Sequence, residues 1–285
     1  MANTSIEGQR VSRSAADVGD PMRPDTPLDP PALTVRLGDT TVSYSVTGRG
    51  RPVVAVHGLP ASRRDFRWLD AAFAGRVRLV RPDLPGFGAS PAGEHEYLAS
   101  ADVSRAVVEL CDALDLHDVV VLGHSFGGGI AVDVAAATAR VSGLALVSSC
   151  GPMHHRGNFR RAYWAMLAIG DVHPTLRRLM LVVSKPVARA VGFSKHISDD
   201  AMVRAARMAS VYDPARFGAQ LAQLGKPVFV TYAEDDPAVE TRVSEAVVGC
   251  VGEPTVLRFE EGGHNLQSSR ATELADALVE WMAAG

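Results

Sequence analysis

The sequence predicts an α/β fold, in which a mostly parallel eight-stranded sheet is flanked by helices and carries an inserted helical cap. Short apolar runs alternate along the chain with stretches of helical periodicity. Most of these runs are uninterrupted, as expected of parallel strands that helices cover on both faces. A chain of 285 residues, 47% of them hydrophobic, can bury such a core without disulfides or a structural metal.

The predicted strands begin with a hairpin and continue as apolar runs. The two hairpin strands alternate apolar and polar residues and meet at a Gly-Asp turn, Gly38–Asp39. In chain order, the eight predicted strands are Leu33–Leu37, Thr41–Val46, Val53–His57, Val77–Val80, Val119–Leu122, Leu144–Val147, Val228–Tyr232 and Thr255–Phe259.

Helices are predicted between the strands. The clearest covers Tyr97–Leu114, where Val103, Val107 and Leu110 recur at helical spacing. The other predicted helices are Arg63–Phe73, Ile130–Ala139, a segment near Val243–Cys250, and Thr272–Met282.

The chain divides into an extension, a core and an insertion. Residues 1–30 lack periodicity and carry four prolines, so we expect a flexible N-terminal extension outside the fold. Residues 152–225 contain no convincing strand run and are predicted to form a helical cap insertion. The core is therefore expected to comprise residues 31–151 and 226–285.

Composition restricts the class of protein. A net charge of −3 gives no reason to expect a nucleic-acid partner. The three cysteines are far apart and odd in number, which argues against a disulfide framework and a zinc site. No apolar run approaches the length of a membrane span, and the first thirty residues contain no secretory apolar segment. We expect a cytoplasmic protein with no membrane partner and a small-molecule substrate; the sequence also allows a homodimer.

The central motif is Gly123-x-Ser125-x-Gly127, which follows a predicted strand and opens a predicted helix. The chain must turn very tightly there, and flanking glycines let neighbouring backbone approach without Cβ clashes. Such a turn leaves the serine hydroxyl accessible at a helix N-terminus, which favours developing negative charge. Ser125 is therefore the candidate nucleophile.

A serine hydroxyl needs a base to take its proton. His264 alone among nine histidines lies on a glycine-flanked loop between the last strand and the last helix. The base in turn needs a carboxylate to orient it. Three carboxylates, Glu234, Asp235 and Asp236, come after the strand that precedes this loop, and the order serine, acid, histidine suits a parallel sheet of this kind.

Four motifs in order make the chain resemble the α/β-hydrolase superfamily, over roughly residues 33 to 285. They are His57-Gly58, Asp83–Ser90 (Asp-Leu-Pro-Gly-Phe-Gly-Ala-Ser), Gly123–Gly127 and Gly263-His264. The resemblance implies a capped serine hydrolase of esterase or lactonase type that needs no metal or organic cofactor.

The resemblance also assigns site residues. The family's acid occupies the fourth place of a Gly-x-x-Asp turn, which maps to Asp236, with Ala233 replacing the glycine and Asp235 as the alternative. The backbone N–H groups of Phe126 and Leu59 are expected to form the oxyanion hole.

Supporting roles are implied by the same resemblance. Gly123 and Gly127 are expected to shape the tight turn around Ser125, and Gly58 the loop of Leu59 (the oxyanion loop). His57 and His124 are expected to support that loop and that turn. Asp83 is expected to fix its own loop by accepting hydrogen bonds.

Serine at position 125 narrows the chemistry. Related haloalkane dehalogenases and epoxide hydrolases carry aspartate there, so acyl transfer from an ester or lactone of a medium-sized, mostly apolar substrate is the main hypothesis. Carbon–carbon bond hydrolases usually have tryptophan after the histidine, where this chain has Asn265. Cofactor-free haloperoxidase or perhydrolase chemistry, a biosynthetic lyase or cyclase, and a ligand-binding role are the alternatives.

Overall fold

A computed structural model describes residues 27, 29–38, 40–93, 99–154, 175, 178–179, 181–182 and 197–284. Most of the extension predicted over residues 1–30 lies outside the described residues, and so does much of the predicted cap, including residues 155–174 and 183–196.

Eight strands form one sheet in the order β1-β2-β4-β3-β5-β6-β7-β8. The strands are β1 Leu33–Leu37, β2 Thr40–Thr47, β3 Pro52–Val56, β4 Arg78–Pro82, β5 Val119–His124, β6 Val141–Val147, β7 Val228–Ala233 and β8 Thr255–Phe259. Strand β2 runs antiparallel to β1 and β4, and the other neighbours are parallel. The predicted fold class, a mostly parallel sheet flanked by helices, is confirmed.

The helices whose bounds lie within the described residues, and the 3-10 turn that precedes the first of them, accompany this sheet. They are the 3-10 turn Arg63–Phe66, α1 Arg67–Phe73, α2 Ser100–Ala113, α3 Gly127–Ala137, α4 Asp199–Ser210, α5 Pro214–Ala222, α6 Thr241–Gly249, α7 Leu266–Ser269 and α8 Ala271–Ala284. Helices α2 and α3 pack together, and α1 packs against α8.

Alternate residues of the central strands point to opposite faces of the sheet. Val54 and Val121 belong to a core cluster shared with α2 and α3, whereas Val53 and Val120 belong to a second cluster shared with α1 and α8. Burial on both faces explains why these strands appear in the sequence as continuous apolar runs.

The structure adds a 3-10 turn to one predicted helix and a short separate helix before another. The segment predicted as one helix over Arg63–Phe73 begins with a 3-10 turn, and the last predicted helix is preceded by the separate short helix α7. Arg270 separates α7 from α8, because its backbone is non-helical, with φ −126° and ψ 34°. No proline or glycine marks this break, so local patterns do not reveal it.

Asp29, near the end of the predicted N-terminal extension, contacts the core. Its carboxylate lies 2.7 Å from Arg63 Nη1 and 3.2 Å from Arg81 Nη2, and the side chain of Arg81 is fully buried. A buried guanidinium requires a paired carboxylate, so Asp29 belongs to the fold although proline-rich sequence surrounds it.

Helices α4 and α5 fall within the segment predicted as the cap. Ser198 caps α4 by accepting a hydrogen bond from the Ala201 amide. Helix α5 packs against α3 and buries Phe217 and Leu221 in the main core cluster. Helix α4 also places Ala201, Ala205 and Met208 in that cluster, so the predicted division between core and cap at residue 225 stays a prediction.

Among the described residues, no helix has both the length and the apolar character needed to cross a membrane.

Candidate active site

Ser125 lies in the tight turn between β5 and α3, with a left-handed φ of 54°. A Cβ on Gly123 would stand 2.6 Å from the carbonyl oxygen of Gly127, and one on Gly127 would collide with the carbonyl oxygen of Val56. Only glycine fits at either position without moving the backbone. The turn leaves the Ser125 side chain half-buried at the amino end of α3.

His264 lies on the loop between β8 and α7 and connects Ser125 to a carboxylate. Its Nε2 atom is 3.0 Å from Ser125 Oγ. Its Nδ1 atom is 2.9 Å from Oδ2 and 3.1 Å from Oδ1 of Asp236. The structure thus brings together three side chains that are far apart in the sequence.

Asp236 is held by more than the imidazole. Its side chain is 1% exposed, and Oδ1 accepts hydrogen bonds from the amides of Ala238 and Val239 at 2.7 and 2.9 Å. Burial opposes its negative charge, but the hydrogen bond and charge of His264, with the two amides, outweigh burial and hold the pKa of Asp236 below its ordinary value. An ionised Asp236 accepts the Nδ1 proton of His264 and leaves Nε2 to accept from Ser125.

Asp235, the alternative acid, makes different contacts. Its Oδ1 atom accepts hydrogen bonds from the backbone amides of Gly262 and Gly263 at 2.9 and 2.8 Å. These amides belong to the loop that carries His264. Of the two carboxylates, it is Asp236 that contacts the His264 ring.

The two expected oxyanion donors belong to the residues that follow Ser125 and Gly58 in the chain. Phe126 comes directly after Ser125, and a Cβ on Gly58, the residue before Leu59, would lie 3.0 Å from Ser125 Cβ. Within the described part of the chain, neither the Phe126 nor the Leu59 amide donates a hydrogen bond to a protein group. That these two amides form the oxyanion hole stays a prediction.

His57 is fully buried and joins two loops beside the site. Its Nε2 atom accepts the Leu84 amide at 3.0 Å, so Nδ1 carries the proton that is donated to the Gly58 carbonyl at 2.8 Å. Burial lowers the pKa of His57, and the Gly58 carbonyl opposes this effect. His57 links the loop of Leu59 to the loop Asp83–Ser90.

His124 lies next to Ser125 in the sequence but directs its ring towards the loop that carries His264. Its Nε2 atom donates to the His264 carbonyl at 2.9 Å, and the two rings lie 4.8 Å apart. Burial, with the charge of His264, lowers the pKa of His124 to about 3. A neutral His124 therefore supports the backbone of His264.

Asp83 contacts the backbone of its own surroundings. Its two oxygens accept the amides of Arg63 and Ala89 at 2.8 and 3.0 Å. These contacts match the loop-fixing role that the sequence predicts for this residue.

Two residues near the site escape sequence reasoning. The Tyr212 ring lies 5.6 Å from the Phe126 ring, and its hydroxyl donates to the Gly151 carbonyl at 2.9 Å. Arg204 of α4 donates to the Gly86 carbonyl at 2.7 Å. Both partners are backbone carbonyls, which no residue pattern indicates.

Among the described residues, no three His, Cys, Asp or Glu side chains are grouped as a metal site requires. That the protein needs no metal or organic cofactor stays a prediction.

The predicted nucleophile turn after β5, the predicted acid after β7 and the histidine after β8 stand in the order typical of the α/β-hydrolase class. Residues 53–277 match the profile of the Alpha/beta hydrolase family, and the chain belongs to this family. It is an enzyme of the hydrolase type.

Comparison with known proteins identifies relatives of several kinds. The chain is 26% identical over 249 residues to the magnesium-chelatase 30 kDa subunit of Rhodobacter capsulatus, over 82% of this chain and 87% of that protein. Two solved structures share the fold. An esterase from Exiguobacterium antarcticum has a TM-score of 0.72 at 20% identity, covering 88% of this chain and 98% of its own. A bromoperoxidase from Bacillus anthracis has a TM-score of 0.74 at 18% identity, covering 89% and 100%.

Proposed function

We propose that this protein is a serine hydrolase that cleaves an ester, lactone or related acyl bond through an acyl-enzyme on Ser125. The observation that carries the proposal is the continuous pair of hydrogen bonds from Asp236 to His264 and from His264 to Ser125, at 2.9 and 3.0 Å. This arrangement can move a proton from a hydroxyl to an imidazole while a carboxylate compensates the positive charge that forms.

The first half of the reaction forms the acyl-enzyme. Ser125 Oγ attacks the carbonyl carbon as its proton passes to His264 Nε2, and Asp236 stabilises the imidazolium. The Phe126 and Leu59 amides donate to the negative oxygen of the tetrahedral intermediate. Collapse of the intermediate breaks the acyl–oxygen bond, and His264 returns the proton to the leaving alcohol.

The second half releases the acid. A water molecule gives its proton to His264 and attacks the acyl carbon, and the intermediate then expels Ser125 Oγ, which takes the proton back. The ring of Phe126, the residue after Ser125, packs against the ring of Tyr212. This apolar pair supports a medium-sized, mostly apolar substrate.

The test combines an activity-based probe with substrate panels. The protein should react with a fluorophosphonate and hydrolyse p-nitrophenyl esters of some chain length or members of a lactone panel. Ser125→Ala should abolish labelling and lower kcat by roughly four to six orders of magnitude, with little change in Tm. Ser142→Ala is the matched control, because Ser142 Oγ accepts from Arg51 away from the site, and this variant should keep both properties.

Two results would contradict the proposal. A folded wild-type protein that fluorophosphonates do not label would favour the lyase, cyclase or ligand-binding alternative. The protein could also be labelled but fail to hydrolyse any ester or lactone. If it then cleaved a carbon–carbon bond or oxidised halide with peroxide, the same nucleophile would serve that reaction instead.

A further inference from the structure

We propose that Asp235 is a positioning residue for the base: its carboxylate holds the loop of His264 where the hydrogen bond to Ser125 requires it. This inference rests on the function proposed above. The mechanism leaves the Asp235 carboxylate unused, although it lies just after a sheet strand and next to the acid that contacts the imidazole.

Asp235 binds the loop through two successive amides. The N–H groups of Gly262 and Gly263 converge on Asp235 Oδ1 at 2.9 and 2.8 Å. Gly263 has a left-handed φ of 63°, and consecutive amides in such a turn form a concave site that attracts an anion. The two glycines before His264 thus build a backbone site for one carboxylate oxygen.

Asp235 and Asp236 hold the same loop at two points. Asp236 binds the ring of His264, and Asp235 binds the backbone one and two residues before it. Because the two acids are adjacent, the turn after β7 fixes both the position of the loop and the orientation of the imidazole. A displacement of the loop would therefore move Nε2 relative to Ser125.

Other contacts hold the loop from different sides. Ser269 Oγ donates to the Gly262 carbonyl at 2.6 Å, and His124 Nε2 donates to the His264 carbonyl at 2.9 Å. These contacts should keep the loop folded when Asp235 is replaced. A misplacement of about 1 Å can cost roughly a hundredfold in rate, so the rate should respond more strongly than the stability.

The experiment compares Asp235→Ala and Asp235→Asn with Glu234→Gln as the matched control, because Glu234 pairs with Arg258 instead of the loop. The readouts are the pre-steady-state rate of acylation by a p-nitrophenyl ester, kcat and KM determined separately, and Tm. Asp235→Ala should lower the acylation rate and kcat by about 10- to 100-fold with KM nearly unchanged. Glu234→Gln should behave like the wild type.

Asp235→Asn should keep most of the rate. Its amide oxygen can still accept both N–H groups, and its nitrogen would replace Oδ2, which has no hydrogen-bond partner within the described part of the chain. Asp235→Glu, which keeps the charge but displaces the acceptor by one methylene, should be slower than Asp235→Asn.

Three outcomes decide the proposal. Wild-type acylation in Asp235→Ala, with Ser125→Ala inactive, would overturn the positioning role and leave the hydrolase function standing. An acylation rate in Asp235→Asn no higher than in Asp235→Ala or Asp235→Glu would also overturn it. If Asp235→Ala does not fold, the comparison of Asp235→Asn with Asp235→Glu decides. Turnover that survives Ser125→Ala would instead contradict the proposed function.

Discussion

Two adjacent carboxylates, Asp235 and Asp236, differ in what they bind because the turn after β7 sends their side chains to different partners. Asp236 points inward, where the amides of Ala238 and Val239 and the imidazole of His264 surround it. Asp235 stays exposed and binds backbone amides. At the residue scale, the two aspartates bind different partners because their side chains point in different directions.

This division predicts the effect of Asp236→Asn. The amide can donate to His264 Nδ1, which imposes the wrong tautomer on the imidazole, and it cannot compensate the imidazolium charge. We expect kcat to fall by about 10³- to 10⁴-fold while the circular dichroism spectrum and Tm stay near the wild-type values. A rate loss that is larger in Asp235→Asn than in Asp236→Asn would reverse the assignment of the acid.

His124 predicts a second residue-scale effect, on acid stability. Its pKa is about 3 in the folded protein, so between the ordinary histidine value and 3 the unfolded chain binds a proton that the folded one does not. The free energy of unfolding should therefore fall as the pH drops from about 6.5 towards 3.

His124→Gln should flatten this acid dependence, because its amide Nε2 can still donate to the His264 carbonyl but takes up no proton. Urea titrations between about pH 4 and pH 7.5 measure the change. His57, whose pKa burial also lowers, contributes with the same sign, so part of the slope should remain. Equal slopes in wild type and variant would show that His124 is not held neutral.

At the scale of elements, the site is built from the loops at the carboxyl ends of the parallel strands. The oxyanion loop comes after β3, Ser125 after β5, the two acids after β7 and His264 after β8. In a parallel sheet the carboxyl ends of all these strands lie on one edge, so their loops meet there. Helix α4 approaches the loop Asp83–Ser90 through Arg204, which lies against Gly86.

Arg204→Ala should loosen α4. The variant loses the hydrogen bond to the Gly86 carbonyl, and the net loss should be about 1 kcal/mol. Hydrogen–deuterium exchange should quicken in α4 and in the loop Asp83–Ser90, whereas α2 serves as an internal reference with unchanged exchange. Protection in α4 equal to that of the wild type would mean that apolar packing alone holds the helix.

The sequence predicts the elements better than their contacts. Strand Thr255–Phe259 matches at both ends, because its periodicity is local, and Gly123, Ser125 and Gly127 identify their turn for the same reason. The choice between Asp235 and Asp236 depends on a loop that lies 28 residues later in the chain. The contact of Arg204 with the Gly86 carbonyl joins residues 118 apart in the chain, which no local pattern indicates.

At the scale of the whole molecule, buried ion pairs connect the N-terminal segment to the sheet. Arg81 of β4 is fully buried and contacts Asp29 and Asp70 through Nη2 at 3.2 and 3.1 Å. Asp29 also pairs with Arg63, whose amide binds Asp83. Asp29 therefore stabilises a charge inside the core.

Asp29→Ala should destabilise the protein by about 3 kcal/mol, near the low end of the cost of unpairing a buried charge because Asp70 remains. The variant Asp276→Ala, which removes a surface pair with Arg76, is the matched control and should cost less than about 1 kcal/mol. Urea unfolding measures both. Equal effects of the two variants would show that Arg81 does not depend on Asp29.

The strands that carry the site residues all end at one side of the sheet, so the loops at the opposite side can be changed without touching the site. The loop before β5, which contains the well-exposed Asp115, lies at that opposite side. A tether placed there would hold the enzyme on a bead or electrode with its reactive edge facing the liquid, so immobilisation and turnover could be optimised independently.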